Sequence, residues 1–507
     1  MSFEDALHAS LGLYMKAPEW LRLGAGRAYA LLPSGWRHGR RFDAFAADAA
    51  NHFHAAPWSL VEVRLNATLR SAATVPAFAA WSEVLLDERV PPFERLRQLP
   101  VVSKAQIKAA PMDYLNPSVA AARRLTMHTG GSTAEPMRFS LERGVSRPKE
   151  SAYIRRIELR QLGASSEDWT LSLRGRTVAG AGRPGARLWT AEPIKRHLIF
   201  SSDHLEPRYM AGYVGELERL RPRLIHAFPS ALYPLARWLR SHPCPAFSHR
   251  VVGILLTSES VYAYQLELLR EVFPRSRIVL HYGHSERALM ATATLPRGQY
   301  NFMPLYGLPE LVDADGLPID RPGVVGEIVG TGFDNAAMPF VRYRTGDLGV
   351  WAAAPGYGMD TARFAMQRID GRLQEFVVCA DHRLVSITTL GAAHFNELHA
   401  VDSIQFEQHS PGHLVLKVVA RAPLQDMDRA RIAAAVRDKT QGGCSVTVQA
   451  VERIERTSRG KQQMLVQHLD LSGYLAAAAH RADDDGALAG GAMRMRLRAP
   501  APERLRA

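Results

Sequence analysis

Apolar residues in the first hundred positions recur at helical spacing between turn signals such as Leu32-Pro33-Ser34-Gly35, which predicts a mostly helical start over about residues 1–110. Within it, Leu60, Val63, Leu65 and Leu69 of the run 59–85 read as the core-facing stripe of a helix. Ser103, with Gln106 three residues later, has the spacing of a capping box and predicts a helix start there. From about Leu125 the period changes. Residues 169–173, 224–228, 251–257 and 277–281 read as strands, and 209–220, 231–241 and 264–273 as the helices between them. Such alternation predicts a layered α/β architecture with a largely parallel sheet. Residues 326–333 and the run around 340–343 read as later strands of a more antiparallel subdomain. After Arg372, strands at 376–379, 413–419 and 445–451 surround a helix at 427–439, the pattern of a small α+β domain. Beyond roughly Leu475 the apolar period is lost in Ala, Arg, Gly and Asp, so residues 476–507 are expected to be a disordered tail.

Composition refines this picture only modestly. A chain of 507 residues exceeds one ordinary core, and the period changes divide it into a large part, 1–371, and a small part, 372–475. The formal charge of +13 comes from scattered arginine pairs such as Arg40-Arg41, Arg123-Arg124 and Arg155-Arg156 rather than one basic block. Without a recognition motif it argues against nucleic acid and suits an anionic small molecule. Cys244, Cys379 and Cys444 form neither a disulfide framework nor a zinc pattern. The chain opens on Met1-Ser2-Phe3-Glu4-Asp5 and holds no apolar run near the ~20 residues of a membrane span. A cytoplasmic enzyme, monomer or homodimer, is the expectation.

Four short strings carry the chemistry. In Thr129-Gly130-Gly131-Ser132-Thr133-Ala134-Glu135-Pro136 the glycines allow backbone amides close to phosphate oxygens, and Ser132 and Thr133 add hydroxyl donors. No Lys-Ser/Thr pair follows, so this is not a Walker loop, and alone it also reads as a small-residue surface turn. Strand 277–281 leads into Tyr282-Gly283-His284-Ser285-Glu286, where an aromatic face suits adenine and Glu286 suits Mg²⁺, or else an ion pair with Arg287. Ser258 and Glu259 end the preceding strand. In Tyr343-Arg344-Thr345-Gly346-Asp347 a carboxylate at a turn can accept two ribose hydroxyls, with Arg372 following in Gly371-Arg372. Finally, Lys461 in Arg459-Gly460-Lys461 reads alone as an exposed basic turn, or as a mobile charge for a closed, water-poor site.

In this order and at these separations the strings resemble those of the acyl-adenylate-forming, AMP-binding superfamily, and within it the phenylacetate–coenzyme A ligase-like branch with its capsule-biosynthesis relatives. The ribose string matches without substitution. The phosphate loop departs at Gly130 (commonly Ser), Ala134 (commonly Gly) and Met137 (commonly Lys), and the hinge aspartate is replaced by Gln374, with Glu375 next. The resemblance implies a large N-terminal adenylate-forming domain of layered α/β subdomains plus a small, mobile C-terminal α+β domain. It implies ATP, Mg²⁺ on Glu286, and coenzyme A or a carrier-protein pantetheine as acceptor. The cofactor residues it implies are Thr129, Gly130, Gly131, Ser132, Thr133, Ser258, Glu259, Tyr282, Gly283, Ser285, Asp347 and Arg372; the catalytic ones are Lys461, Glu286 and Thr133. His226, Phe228 and Ser230 are similar to a strand-end loop that lines the acid pocket, although a packing role for His226 reads equally well. No metal besides Mg²⁺ is expected. Transfer to an amine or hydroxyl, or non-catalytic nucleotide binding, are the alternatives.

Overall fold

The computed structural model describes residues 14, 17–129, 137–165, 167–174, 178, 188–201, 204–205, 207–296, 298–372, 375–387, 390, 401–420, 422–455 and 462–471. The expected phosphate-loop residues Gly130, Gly131, Ser132, Thr133 and Ala134, the hinge position Gln374, Lys461 and the tail 476–507 lie outside them.

The start of the chain is helical, with helices at Glu19–Ala30, Phe42–Asn51, Trp58–Ala72, Pro92–Gln98 and Lys104–Ala109. The last begins at the expected capping box: Gln106 N donates to Ser103 Oγ (3.2 Å) and Ser103 N to Gln106 Oε1 (2.7 Å). The helix in 59–85 differs from expectation in phase and length. Its buried face is Trp58, Val61, Leu65, Thr68, Leu69 and Ala72, whereas Leu60 and Val63 are 39% and 64% exposed. At 3.6 residues per turn, Leu60 lies about 140° and Val63 about 160° around the axis from Leu65. The helix stops at Ala72, and a 3₁₀ turn at Pro76–Trp81 leads to a separate short helix, Ser82–Leu86.

Strands are numbered along the chain. The two-residue β1 (Ala56–Pro57) pairs with β15 (Thr361–Ala362). The hairpin β2 (Arg124–His128) and β3 (Arg138–Glu142) stands apart from the main sheet. That sheet contains twelve described strands: β4 (Thr170–Leu173), β5 (Trp189–Glu192), β6 (His197–Phe200), β7 (Leu224–Ala227), β8 (Gly253–Thr257), β9 (Arg277–Gly283), β10 (Met290–Thr294), β11 (Tyr300–Phe302), β12 (Gly307–Val312), β13 (Val325–Gly332), β14 (Tyr343–Trp351) and β16 (Ala365–Arg372). Their spatial order is β12-β13-β14-β16-β11-β10-β9-β8-β7-β4-β6-β5. The run β6-β4-β7-β8-β9 is parallel, as alternation with helices requires, and from β9 to β12 every pairing is antiparallel.

Two large cores pack on the sheet, besides a smaller one in which Leu224, Leu255 and Val279 meet Tyr153 and Ile157. One packs Leu171, Ile225, Ile254 and Ile278 against helices Pro207–Leu220, Pro229–Ser241 and Ala263–Val272. The other fills the antiparallel half with Ala291, Phe302, Leu308, Ile328 and Met366, together with Leu65 and Leu69 of the early helix. Polar groups also reach deep. Lys149 Nζ, on helix Ser146–Arg160, donates to the carbonyls of Tyr306 (2.7 Å) and Phe333 (2.8 Å) and meets Asp334 Oδ2 at 3.2 Å; Arg64 takes Asp334 Oδ1 at 2.6 Å and also bonds Asp48. Burial alone would raise the Asp334 carboxyl, but Lys149 and Arg64 hold it below the usual range.

The smaller C-terminal domain has the hairpin β17 (Phe376–Val378) and β18 (Leu384–Ser386). Beside it is a four-stranded sheet of β19 (Val401–Ser410), β20 (His413–Ala420), β21 (Ser445–Ala450) and β22 (Leu465–Gln467), in the order β21-β20-β19-β22. Helix Asp426–Lys439 buries Ile432 and Val436 against Phe406, Leu414, Leu416 and Val418. The cysteines are unbridged, with Cys379 and Cys444 Sγ 3.7 Å apart in this core. Among the described residues no helix is long and apolar enough to cross a membrane.

Candidate active site

β14 and β9 are separated in the sheet by β16, β11 and β10. On a flat sheet four strand-to-strand steps span about 19 Å. Yet the Tyr282 hydroxyl, on β9, donates to Asp347 Oδ2, on β14, at 2.8 Å. The antiparallel half therefore curls back on itself, enclosing its core and bringing two of the four strings into direct contact. A second bond of the same kind lies beside it: the Tyr343 hydroxyl donates to Glu286 Oε1 at 2.7 Å. Both partners are buried, and Glu286 Oε2 has no hydrogen-bond partner among the described residues. Two tyrosine–carboxylate pairs thus cross the gap between β9 and β14 in opposite senses.

The local backbone explains why these side chains converge. The segment Tyr343–Asp347 is not a turn, as the sequence suggested, but the first half of a bulged strand, with register slipping between Glu327 and Val329 of its partner. The bulge is held by Gly346 (φ 77°), whose N–H donates to Glu327 Oε1 at 3.2 Å, and by the Thr345 hydroxyl on the Ile328 carbonyl at 2.8 Å. Thr345 Oγ1 in turn accepts the Asp347 N–H at 3.1 Å. Upstream, Arg342 meets Glu310 through two buried 3.2 Å contacts and donates to the Leu99 carbonyl at 2.6 Å, fastening the start of β14 to the helical region. Burial pushes the Glu310 carboxyl up, against the pull of Arg342. In the β14–β16 register Arg372 lies opposite Asp347, so the Gly-Arg pair and the ribose string are cross-strand neighbours.

Around β9 the strand ends are polar. His281 Nδ1 lies 3.0 Å from Thr257 Oγ1, while its Nε2 is buried with no hydrogen-bond partner among the described residues. Both ring nitrogens of His284 and Nη1 of Arg287 are in the same condition. Burial lowers the His281 pKa, with Arg174 and His284 adding to the effect and Glu150 opposing it, so the ring is neutral at neutral pH. A Cβ at Gly283 would lie 3.2 Å from the His281 ring, a tight contact that the ring would have to relieve by a small shift. Ser285 is half-buried beside Glu286.

Other expected site residues have structural partners. Thr129 is buried, its N–H donates to the Met137 carbonyl (2.9 Å) and its hydroxyl accepts the Met137 N–H (2.9 Å). These bonds join the two described residues, Thr129 and Met137, that flank the expected phosphate loop. Glu259 accepts both the N–H (3.0 Å) and the hydroxyl (2.9 Å) of Ser230, which places its charge at the N-terminus of helix Pro229–Ser241. Ser258 has φ 67° and its hydroxyl is 3.3 Å from Thr257 Oγ1. His226 is buried within β7 and Phe228 precedes the helix. Tyr343 was missed as a site residue, although it opens the ribose string. Also missed was Ser260, whose hydroxyl donates to Glu375 Oε2 (2.9 Å) across the expected hinge.

Comparison with solved structures places this architecture. A 2-hydroxyisobutyryl-CoA ligase, in the postadenylation state with 2-HIB-AMP, superposes with a TM-score of 0.59 at 17% identity, covering 83% of this chain and 91% of that one. The fold is that of the adenylate-forming ligases. The AtGH3.15 acyl acid amido synthetase, in complex with 2,4-DB, shares it at a TM-score of 0.53 and 13% identity, over 83% of this chain and 93% of that one. Residues 378–468 match the family model of the CapK C-terminal domain. Protein CapK of Staphylococcus aureus is 21% identical over 296 residues, 58% of this chain. The match spans 63% of that relative, less than two thirds of its length.

Proposed function

We propose that the protein is an AMP-forming ligase. It activates a carboxylic acid with ATP to an acyl-adenylate and then passes the acyl group to a thiol, that of coenzyme A or of a carrier-protein pantetheine. The observation that carries this reading is the crossed pair of tyrosine–carboxylate bonds, Tyr282–Asp347 and Tyr343–Glu286. Tyr282 offers its ring to adenine, and its hydroxyl orients Asp347 toward the ribose. Tyr343 orients Glu286, whose second oxygen suits a hard cation such as Mg²⁺. That ion, when bound, neutralises polyphosphate charge. Gly130, Gly131, Ser132 and Thr133 hold the phosphates beyond the bonded Thr129–Met137 pair, and Ser285 and Arg372 complete the nucleotide side.

In the first half-reaction a carboxylate oxygen attacks the α-phosphorus and the bond to pyrophosphate breaks; Lys461 stabilises the transferring charge. In the second, the thiol loses its proton, its sulfur attacks the acyl carbon, and AMP leaves. Rotation of the part 372–475 against 1–371 about Gln374 would let one site serve both steps. His281 Nε2 and both His284 nitrogens, buried with no hydrogen-bond partner among the described residues, favour an acid with polar substituents that could bond to them. Within the superfamily we assign the protein to the phenylacetate–CoA ligase-like branch, a reading supported by the likeness to CapK. A second reading, transfer to an amine, has support from the fold shared with an acyl acid amido synthetase.

Acid-dependent exchange of labelled pyrophosphate into ATP, over a panel of hydroxylated aryl and alkyl acids, tests the first half-reaction. Exchange is expected with at least one acid, and Lys461→Ala should depress it far more than it depresses ATP binding. ATP binding with no exchange for any acid would refute the enzyme reading. Product analysis with coenzyme A or amino acids then separates the acceptors.

A further inference from the structure

Glu407 and His409 alternate on one face of β19, opposite the face that buries Phe406 and Gln408. In the parallel pairing of β22 with β19, Glu407 stands opposite Val466 and Gln408 opposite Gln467. The next residue, His468, therefore comes alongside His409, and the two imidazoles stack with centroids 4.0 Å apart and planes 10° apart. Both aim Nε2 at one atom: Glu407 Oε1 lies 3.1 Å from His409 and 2.9 Å from His468. The three donor atoms all lie within 4.8 Å of one another. The other carboxylate oxygen, Oε2, is held by Lys417 Nζ at 2.6 Å.

We propose that Glu407, His409 and His468 form a binding site for a divalent cation of the zinc class. Two imidazole nitrogens and one carboxylate oxygen are a donor set zinc favours. With metal–ligand bonds of about 2.0–2.2 Å, tetrahedral donors stand about 3.3 Å apart, close to the observed nitrogen–oxygen separations; for both lone pairs to face one ion the two stacked rings must also tilt toward each other about their side-chain torsions. Lys417 occupies the oxygen turned away from the histidines and fixes the orientation of the one that would bind, the usual duty of an outer partner. The histidine side chains are 60% and 43% exposed, which gives an ion a route in and leaves room for water as a further ligand. This site departs from the sequence expectation that Mg²⁺ is the sole metal. Its consequence is mechanical. The ion would staple β22, the strand that follows the segment bearing Lys461, onto the centre of the small sheet.

The test uses the full chain, stripped with EDTA and titrated with Zn²⁺ by calorimetry and with Co²⁺ by visible absorption. One Zn²⁺ per chain is expected above the background of a His409→Ala/His468→Ala double variant, with a Zn²⁺-dependent rise in Tm that the double variant lacks. Each single variant, and Glu407→Gln, should weaken binding by roughly 10-fold or more. These side chains lie at the surface of the sheet, and far-UV circular dichroism verifies that the variants fold. Equal Zn²⁺ stoichiometry and affinity in the double variant would overturn the proposal, as would Co²⁺ spectra of the wild-type chain identical to those of hexaaquo cobalt.

Discussion

Replacing Tyr343 by phenylalanine removes one oxygen and leaves the wall of the candidate site otherwise in place. That hydroxyl sits 2.7 Å from Glu286 Oε1, with the tyrosine 2% and the glutamate 7% exposed. A hydrogen bond to a charged acceptor contributes about 1.5–3 kcal/mol, and a buried acceptor that loses its donor keeps its desolvation cost. The ring would still pack against Phe340, with centroids 5.1 Å apart, and against His284 at 6.4 Å. The loss should therefore fall on the orientation of Glu286 and not on the fold. At about 1.4 kcal/mol per factor of ten, the expected fall in Mg²⁺-dependent pyrophosphate exchange is roughly 10- to 150-fold. It should appear mainly as a raised Mg²⁺ requirement, while thermal unfolding shifts by only a few degrees. The assay is exchange at fixed ATP and acid over a Mg²⁺ series, with Glu286→Gln in parallel. If Glu286→Gln loses exchange while Tyr343→Phe keeps the wild-type Mg²⁺ profile, the tyrosine does not position that carboxylate and the reasoning is wrong.

Other consequences follow from buried groups. Lys149→Met strands two carbonyls and half of the Asp334 ion pair, and should destabilise the large domain by about 3–5 kcal/mol in urea unfolding; a change below about 1 kcal/mol would refute the network's role. A Cβ at Gly307 would meet the Ala288 carbonyl oxygen at 1.9 Å, so Gly307→Ala should sharply lower soluble yield and Tm, and a wild-type Tm would contradict the packing described. Burial, aided by Arg160, pushes the His54 imidazole down to about 4 from an ordinary 6.5. The unfolded chain then binds this proton earlier than the folded one. Stability is unaffected by His54 above pH 6.5 and falls as pH drops from 6.5 toward 4, by up to about 3 kcal/mol. His54→Gln should flatten that part of the urea-midpoint profile, and an unchanged slope would show that another group is responsible.

Local pattern carried much of the architecture. β7 and β8 fall within the apolar runs read as parallel strands, because strands buried on both faces are continuous in sequence, while β9 starts with its run at Arg277 and continues past His281 to Gly283. The Ser103 capping box was legible because it is completed within four residues. Leu60 and Val63 misled because apolar residues also occur on exposed helix faces, and the true stripe starts from Trp58. The ribose string looked like a turn because Thr345-Gly346-Asp347 has turn chemistry, which here serves a bulge. What local reading could not supply was the curl of the antiparallel half. The contacts it creates join residues 65 and 57 positions apart. Thr129 and Glu259 read as cofactor-binding residues, whereas in the structure their polar atoms reach Met137 and the helix start at Ser230. Glu407, His409 and His468 were invisible for the same reason, since strand register alone brings His468 to its partners.

The crossed bonds divide the four residues by chain position: Tyr282 and Glu286 precede a long excursion, while Tyr343 and Asp347 follow it. A cut anywhere from residue 287 to 342 would leave each fragment with one tyrosine and one carboxylate, and neither fragment with a complete pair. Such halves are natural reporters of each other. Under the proposed function, nucleotide affinity should be lost in either fragment alone and return only as the curled sheet reassembles, and its concentration dependence would measure how strongly the two halves hold together.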